Sequence, residues 1–299
     1  MRVRRKWSEQ IHFNLMLLPG MLLVLLFTIW PMGGIVLAFK HFIPTKGIWG
    51  SPWTGWENYS FVFDTPVALR VFKNTVIIAL MKIAFGFFIP IVFALMLNEL
   101  RIHWFKRTVQ TIVYLPHFLS WVLLAGILRD FFAVDGIVNQ FLGKFGINEI
   151  MFMGDNFWFR TIIVGSDIWK EFGFGTIIYL AALTGINPSL YEAADIDGAT
   201  RMQKLKYVTL PGIATTIVLV GTLSLQNVLN AGFDQIFNLY NTLVYDSSDI
   251  IDTYVFRAGI EEGHYEVGTA IGLLKSGVSF ILIIISYGLA SRFANYRIF

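Results

Sequence analysis

The 299-residue sequence has no cysteine, only five histidines, and charged residues at only 14% of its positions. Without cysteine there is no disulfide, no thiolate metal ligand and no Cys nucleophile, although the cellular compartment stays open on that count. His12, His41, His103, His117 and His264 are scattered and lack metal-ligand spacing. No G-x-x-x-x-G-K-[ST] stretch occurs, so the chain has no phosphate-cradling loop of its own. G-x-S-x-G and H-E-x-x-H are also missing, which leaves an intramembrane enzyme supported by nothing beyond isolated polar residues.

The shortage of charge is also the first positive statement. Soluble domains are about a quarter charged, whereas this chain is 56% hydrophobic with a mean hydropathy of +0.63. It reads as an all-α membrane protein. The net charge is only +3, and the basic residues sit in short clusters between apolar runs. Such clusters orient membrane helices; they do not form a nucleic-acid face.

Six runs approach the ~20 residues needed to span the hydrocarbon core: residues 15–39, 74–97, 109–132, 159–183, 212–232 and 269–290. The first is too long for a signal-peptide core and lacks an A-x-A site, so it is read as a retained helix that Pro19 and Pro31 bend or delimit. With residues 1–14 cytoplasmic, the inner segments carry Arg2, Arg4, Arg5, Lys6, Arg101, Lys106, Arg107, Arg201, Lys204, Lys206, Arg292 and Arg297. The outer segments carry Lys40, Lys46, Arg70, Lys73, Arg129, Lys144, Arg160 and Arg257. Twelve against eight favours an N-in, C-in topology. No repeat or long linker divides the chain, so residues 1–299 read as one transmembrane domain.

The outer loops have distinct characters. Residues 41–66, containing FIPTKGIWGSPWTGWENY, predict a turn-rich cap with interfacial aromatics. Residues 233–268 hold Asp246, Asp249 and Asp252, then Glu261, Glu262 and Glu266, in spacing that does not fit an EF-hand. A solvated acidic loop is expected there.

The cytoplasmic segment 184–211 has clear helix punctuation. Ser189 with Glu192, and Thr200 with Gln203, read as two capping boxes. Gly198 between them marks a sharp turn, and Pro211 fits the first turn of the next membrane helix. Glu192 can be a cap and nothing more. The spacing goes further, however: Glu192-Ala193-Ala194, three residues, Gly198, nine residues, Val208, one residue, then Leu210-Pro211. This resembles the EAA loop of ABC-importer permeases, with Val208 in place of the usual Ile. The flanking DIWKEFGFGTIIYLAALTGINPSLYEAADIDGA is similar to the carbohydrate-uptake branch related to maltose-importer permeases. The opening LMLLPG…PMGGIVLAFKHFIPTKGIWGSPWTGWENY is similar to a subgroup serving oligosaccharide and polysaccharide-fragment importers.

That resemblance implies six spans with a coupling helix between the fourth and fifth. Glu192, Ala193, Ala194, Gly198, Leu210 and Pro211 would form the joint that docks into an ATP-hydrolysing subunit. Glu192 would meet a basic residue there, the small alanines would permit close approach, and Gly198 the bend. The chain would bind no cofactor itself, ATP and magnesium being held by the partners. Those partners would be two ATPase subunits, a second permease subunit of related but different sequence, and an extracytoplasmic solute-binding protein. The setting would be a bacterial cytoplasmic membrane.

Ionisable residues within a span face a polar cavity or a partner. Asp167, Lys170, Glu171 and Phe174 follow i, i+3, i+4, i+7 spacing on the fourth span and share one helical face. Acid, base and ring together suit a sugar; a Lys170–Glu171 or Asp167–Lys170 neutralising pair without a ligand is the plain alternative. By the resemblance, sugar-contacting positions fall on these four residues and, in the fifth span, on Ser224, Asn227, Val228 and Ala231, two of which are apolar here. Asn230 and Phe233 fit after a one-residue slip, and Gln226 and Asp234 add polar groups that can equally join helices. Lys82 and Lys275 are read as gate or pairing residues. The resulting function is the transmembrane permease subunit of a binding-protein-dependent ABC importer, moving oligosaccharides by ATP-driven alternating access. The alternatives are a permease for a non-sugar solute and an ion-coupled secondary transporter, the latter offering no reason for the EAA spacing.

Overall fold

The computed structural model describes residues 7–293, with side chains over 11–288. The basic residues Arg2, Arg4, Arg5, Lys6 and Arg297 used to orient the chain lie outside the described residues. Within them the chain is all-helical and lacks strands, apart from one isolated bridge between Lys40 and Trp53. Helix is the expected solution for a chain this apolar, because it satisfies the backbone groups within each segment. The chain forms two compact units, one from the residues up to Asp64 with Val255–Leu273, the other from Thr65–Tyr254 with the chain from Leu274 onward.

In the first unit, α1 (Trp7–Val24) passes through a π-helical turn, Leu25–Ile29, into a 3₁₀ segment, Trp30–Phe39. The run Ile11–Phe39 is long and apolar enough to cross a membrane. The change of helix type falls around Pro31, whose ring removes an N–H and crowds the preceding turn. Two short helices, α2 (Gly47–Gly50) and α3 (Glu57–Asp64), then fold into a cap. The Lys40 ammonium donates to the Ile48 and Trp49 carbonyls at 2.9 and 3.1 Å, and the Asn58 amide donates to those of Ala38 and Lys40. Phe39 packs on Trp53, Trp56 and Tyr59. The Trp- and Gly-rich loop is therefore a turn-rich cap, as its composition predicts.

In the second unit, α4 (Pro66–Glu99), α5 (His103–Tyr114), α6 (Trp121–Phe131), α7 (Ile137–Gly143) and α8 (Asn156–Thr184) are followed by the short helices α9 (Pro188–Ile196) and α10 (Arg201–Lys204), then by α11 (Leu210–Ser224). After them come α12 (Phe233–Leu239) and α13 (Tyr245–Ser248). The chain continues through α14 (Ile251–Phe256) to α15 (Tyr265–Phe293). The α4–α8 pair is the spine. Ile78 and Ala79 meet Phe159 and Ile163 in a core that also takes in Ile236, Leu239, Val244 and Ile250. Further along, Ile91 and Ala94 pack with Tyr179, Leu183 and Ile213.

Among the described residues, four helices are long and apolar enough to span a membrane: Ile11–Phe39, Pro66–Glu99, Arg201–Asn227 and Tyr265–Gly288; a bent pair makes a fifth if it is one span. The expected run 109–132 is that pair. His103–Phe118 and Trp121–Phe131 meet at 102°, because Pro116 sits in a 3₁₀ turn and Ser120 caps α6 by accepting from the Leu123 N–H at 3.3 Å. Hydropathy alone cannot register a break whose residues are mostly apolar. α8 is long enough to span, but its charged residues exclude it from the purely apolar set.

The expected run 212–232 shifts at both ends. Helix begins at Arg201, crosses a π turn at Leu205–Thr209 and ends in a 3₁₀ turn at Leu225–Asn227. Pro211 lies in the first turn of α11, as expected, but α11 continues directly from a π turn, which relieves the missing N–H. The acidic segment is also not a solvated loop. Asp246 pairs with Arg70, Asp249 is fully buried and accepts from Thr253 Oγ1 at 2.8 Å, and Asp252 pairs with Lys275.

Candidate functional site

The polar face of α8 is built by convergence of elements far apart in sequence. Asp167 does not pair with Lys170, as helical spacing allowed; its Oδ1 accepts from Lys82 of α4 at 3.0 Å. Lys82 is buried, and its ammonium also donates to the Ala231 carbonyl at 2.8 Å and to Gln235 Oε1. Gln235, fully buried, turns its amide to the Ile163 carbonyl and Ser166 Oγ, both at 2.8 Å. Three donors on Lys82 meet three acceptors, which offsets the cost of holding a cation away from water.

One turn along α8, Lys170 is buried and donates to Glu171 Oε1 at 2.9 Å and to the His117 carbonyl at 2.7 Å, so the Lys170–Glu171 pair does form. Its ammonium also lies 5.6 Å from the centre of the Trp121 ring. Glu171 Oε2 contacts His117 Nδ1 at 2.7 Å, and the His117 ring stacks on Phe174 with centroids 4.0 Å apart. The bend between α5 and α6 thus supplies both a carbonyl and an imidazole to the α8 face. The two lysines lie inside, while the Glu171 and Phe174 side chains remain about half open. Chemically, the open surface offers carboxylate acceptors beside an aromatic edge.

The fifth-span candidates are only partly gathered. Ser224 donates back to the Val220 carbonyl at 2.8 Å, which joins it to its own helix. Asn227 and Asn230 are exposed at the place where helix gives way to irregular chain, and the Asn230 N–H donates to the Asn227 carbonyl at 2.8 Å. Val228 is half-buried and Ala231 fully buried. Asp234 lies exposed in the first turn of α12. Lys275 is engaged by Asp252, which makes it a paired residue.

Three groups escaped sequence reasoning: His117, Gln235 and the Ala231 carbonyl. A histidine beside a proline in an apolar run was the available signal for the first. Gln235 stood in the polar-rich stretch after the fifth span, but nothing local connected it to Lys82.

The segment after α8 stands apart. α9 starts at Pro188 with Asn187 as its cap, its side chain accepting from the Ser189 N–H at 3.1 Å. The expected Ser189–Glu192 box is therefore not the cap, because Pro188 already occupies the first helical position and moves the boundary back. This leaves Glu192 free of a capping role. It and Ala193 are exposed, Ala194 is half-buried, and Ile196 is 87% exposed. Gly198 adopts φ +71°, the left-handed conformation that ends the helix. The Thr200–Gln203 box is present in both directions. Asp195 pairs with Lys204, and Tyr191 Oη meets Thr209 Oγ1 at 3.0 Å, so α9 is tied back to the base of α11. Leu210 is half-buried and Pro211 exposed at that base.

Long apolar helices, paired charges held between them and an exposed helix–turn–helix at the end of α8 define a multi-pass helical membrane protein. The chain belongs to the family of binding-protein-dependent transport system inner membrane components, whose model matches residues 86–295. It is a permease subunit of a binding-protein-dependent ABC importer, and the family is a transport family, not an enzyme family. It is 39% identical to the polygalacturonan/rhamnogalacturonan transport system permease protein YteP of Bacillus subtilis (strain 168), over 100% of this chain and 93% of that protein. It is 40% identical to the protein LplB of the same organism, over 99% and 92%. Among solved structures it is similar to a chain of a bacterial alginate ABC transporter in complex with an alginate pentasaccharide-bound periplasmic protein. There the TM-score is 0.91 with 35% identity, covering 100% of both chains.

Proposed function

We propose that this chain forms one wall of an oligosaccharide path in a bacterial cytoplasmic membrane. It crosses six times with both ends inside, the bent α5–α6 pair and the charged α8 being the third and fourth crossings. Together with a second, related permease subunit it encloses the path, which opens alternately to either side. The observation that carries this reading is the α8 face. Glu171 and Phe174 stay accessible there, although Asp167, Lys170 and Glu171 are costly to hold within a span. Carboxylate acceptors take sugar hydroxyls and the ring edge takes apolar CH surface, with Asn227 and Asn230 contributing from the fifth span. The relatives' polygalacturonan and alginate cargoes support a saccharide of this kind.

An extracytoplasmic solute-binding protein delivers the sugar, as the pentasaccharide-bound periplasmic protein in the similar structure supports. On the cytoplasmic side the exposed Glu192–Ala193–Ala194 helix, turning at Gly198 and braced at Leu210-Pro211, docks with one of two ATPase subunits. ATP and magnesium reside on those partners. The test is transport by the reconstituted importer. Glu192→Ala should abolish sugar uptake and stimulated ATP hydrolysis while the permease still inserts; uptake at the wild-type rate would refute the docking role.

A further inference from the structure

We propose that Lys82 is a positioning residue, the tether that holds the break after the fifth span in register with the polar face of α8. The argument begins with the backbone. Helix ends at Asn227, and the chain runs irregularly through Val228–Gly232 before α12. At membrane depth, irregular backbone is tolerated only where its polar groups find partners inside the protein. The Ala231 carbonyl finds one, the Lys82 ammonium at 2.8 Å.

The same ammonium reaches Asp167 on α8 and Gln235 on α12, so one group joins four pieces of chain. The fit is close. Gly232 sits at φ +93°, and a Cβ placed there would lie 2.9 Å from Lys82 Nζ. A side chain at 232 would therefore be strained in its backbone and would also collide with the tether. Gln235 extends the connection to the Ile163 carbonyl and Ser166, so the break is fastened to α8 at two heights. The break carries Asn230 and α8 carries Glu171 and Phe174, all on the proposed sugar path. Their mutual placement thus depends on a residue that need not touch sugar.

This inference rests on the α8 face being the path, and it separates two roles for Lys82. If Lys82 only neutralises Asp167, removing both charges together should restore function. If it positions the break, the double variant stays defective, because the Ala231 carbonyl remains untethered. The experiment uses the assembled importer in proteoliposomes, with Lys82→Met, Asp167→Asn and the double variant, reading oligosaccharide uptake beside basal ATP hydrolysis. The expected result is uptake reduced about tenfold in Lys82→Met with basal hydrolysis unchanged in that variant, and no rescue in the double variant. Recovery of the double variant to the level of Asp167→Asn alone would overturn the proposal.

A second readout does not depend on uptake. In this cysteine-free chain, a spin label on Asn230→Cys reports local motion. Its spectrum should sharpen when Lys82→Met is added, whereas a label at exposed Ile284 on α15 should not change. An unchanged spectrum at 230 would also overturn the tether. If wild-type importer takes up no saccharide but the label at 230 still responds to Lys82→Met, the cargo reading fails and the tether stands.

Discussion

His117 and Phe174 lie face to face, their ring centroids 4.0 Å apart and their planes within 3°. One ring comes from the bend at Pro116 and the other from α8, so the stack fixes a broken helix against an intact one. The same imidazole contacts Glu171, which couples the aromatic and carboxylate parts of the open surface.

His117→Ala should therefore disturb sugar handling more than His117→Phe. Loss of the ring stack is worth about 1 kcal/mol, a several-fold rise in KM for uptake, while phenylalanine keeps the stack and loses only the Glu171 contact. Uptake kinetics of the two variants decide this, and equal KM values would remove the stack from the account.

Gly198→Ala isolates backbone strain, because a Cβ at this position would meet no atom within 4 Å. Holding alanine at φ +71° costs about 1–2 kcal/mol. The turn between α9 and α10 should open, and binding-protein-stimulated ATP hydrolysis should fall in the assembled importer. Gly198→Asn, which tolerates the left-handed region better, should retain more of that stimulation.

Ile196 is a large apolar side chain left 87% exposed on α9. Ile196→Ser should leave folding within about 0.5 kcal/mol, as for most surface changes. Yet it should weaken retention of the ATPase subunits during purification. Full retention together with normal stimulation would exclude Ile196 from the docking surface.

Asn74 holds the first turns of α4 to the segment after α12. Its amide donates to the Asp246 and Asp249 carbonyls at 3.0 and 3.2 Å, and its oxygen accepts from Arg160 at 3.0 Å. Asn74→Ala removes these three hydrogen bonds at a cost of about 1–3 kcal/mol. A lower thermal midpoint in detergent is expected, with the exposed neighbour Lys73→Ala as an unchanged control.

Much of this was legible along the chain because it depends on near neighbours. The Thr200–Gln203 box, the Gly198 turn and the Trp-rich cap are set by residues a few positions apart. Their chemistry is the same wherever the segment lies. The misreadings share a cause. Pro188 displaced the expected cap from Ser189 to Asn187, Pro116 and Ser120 broke an unbroken apolar run, and the fifth helix stopped at Asn227 although its hydropathy continued. In the last two cases a hydropathy window averaged over residues that control backbone direction; in the first, a capping pattern was read without the proline that precedes it.

The sequence by itself determined that the chain is a helical membrane protein. It also determined the spacing of the segment from Pro188 to Pro211 and which residues in the apolar runs bear charge. These follow from composition and from the 3.6-residue period. Tertiary structure decided which charges meet. Asp167 stands three residues from Lys170 but joins Lys82, 85 positions away, and Glu171 joins His117, 54 positions away. Helical periodicity states which side chains share a face. It carries no information about which other helix faces them, and in a medium that solvates charge poorly that neighbour decides where each charge is held.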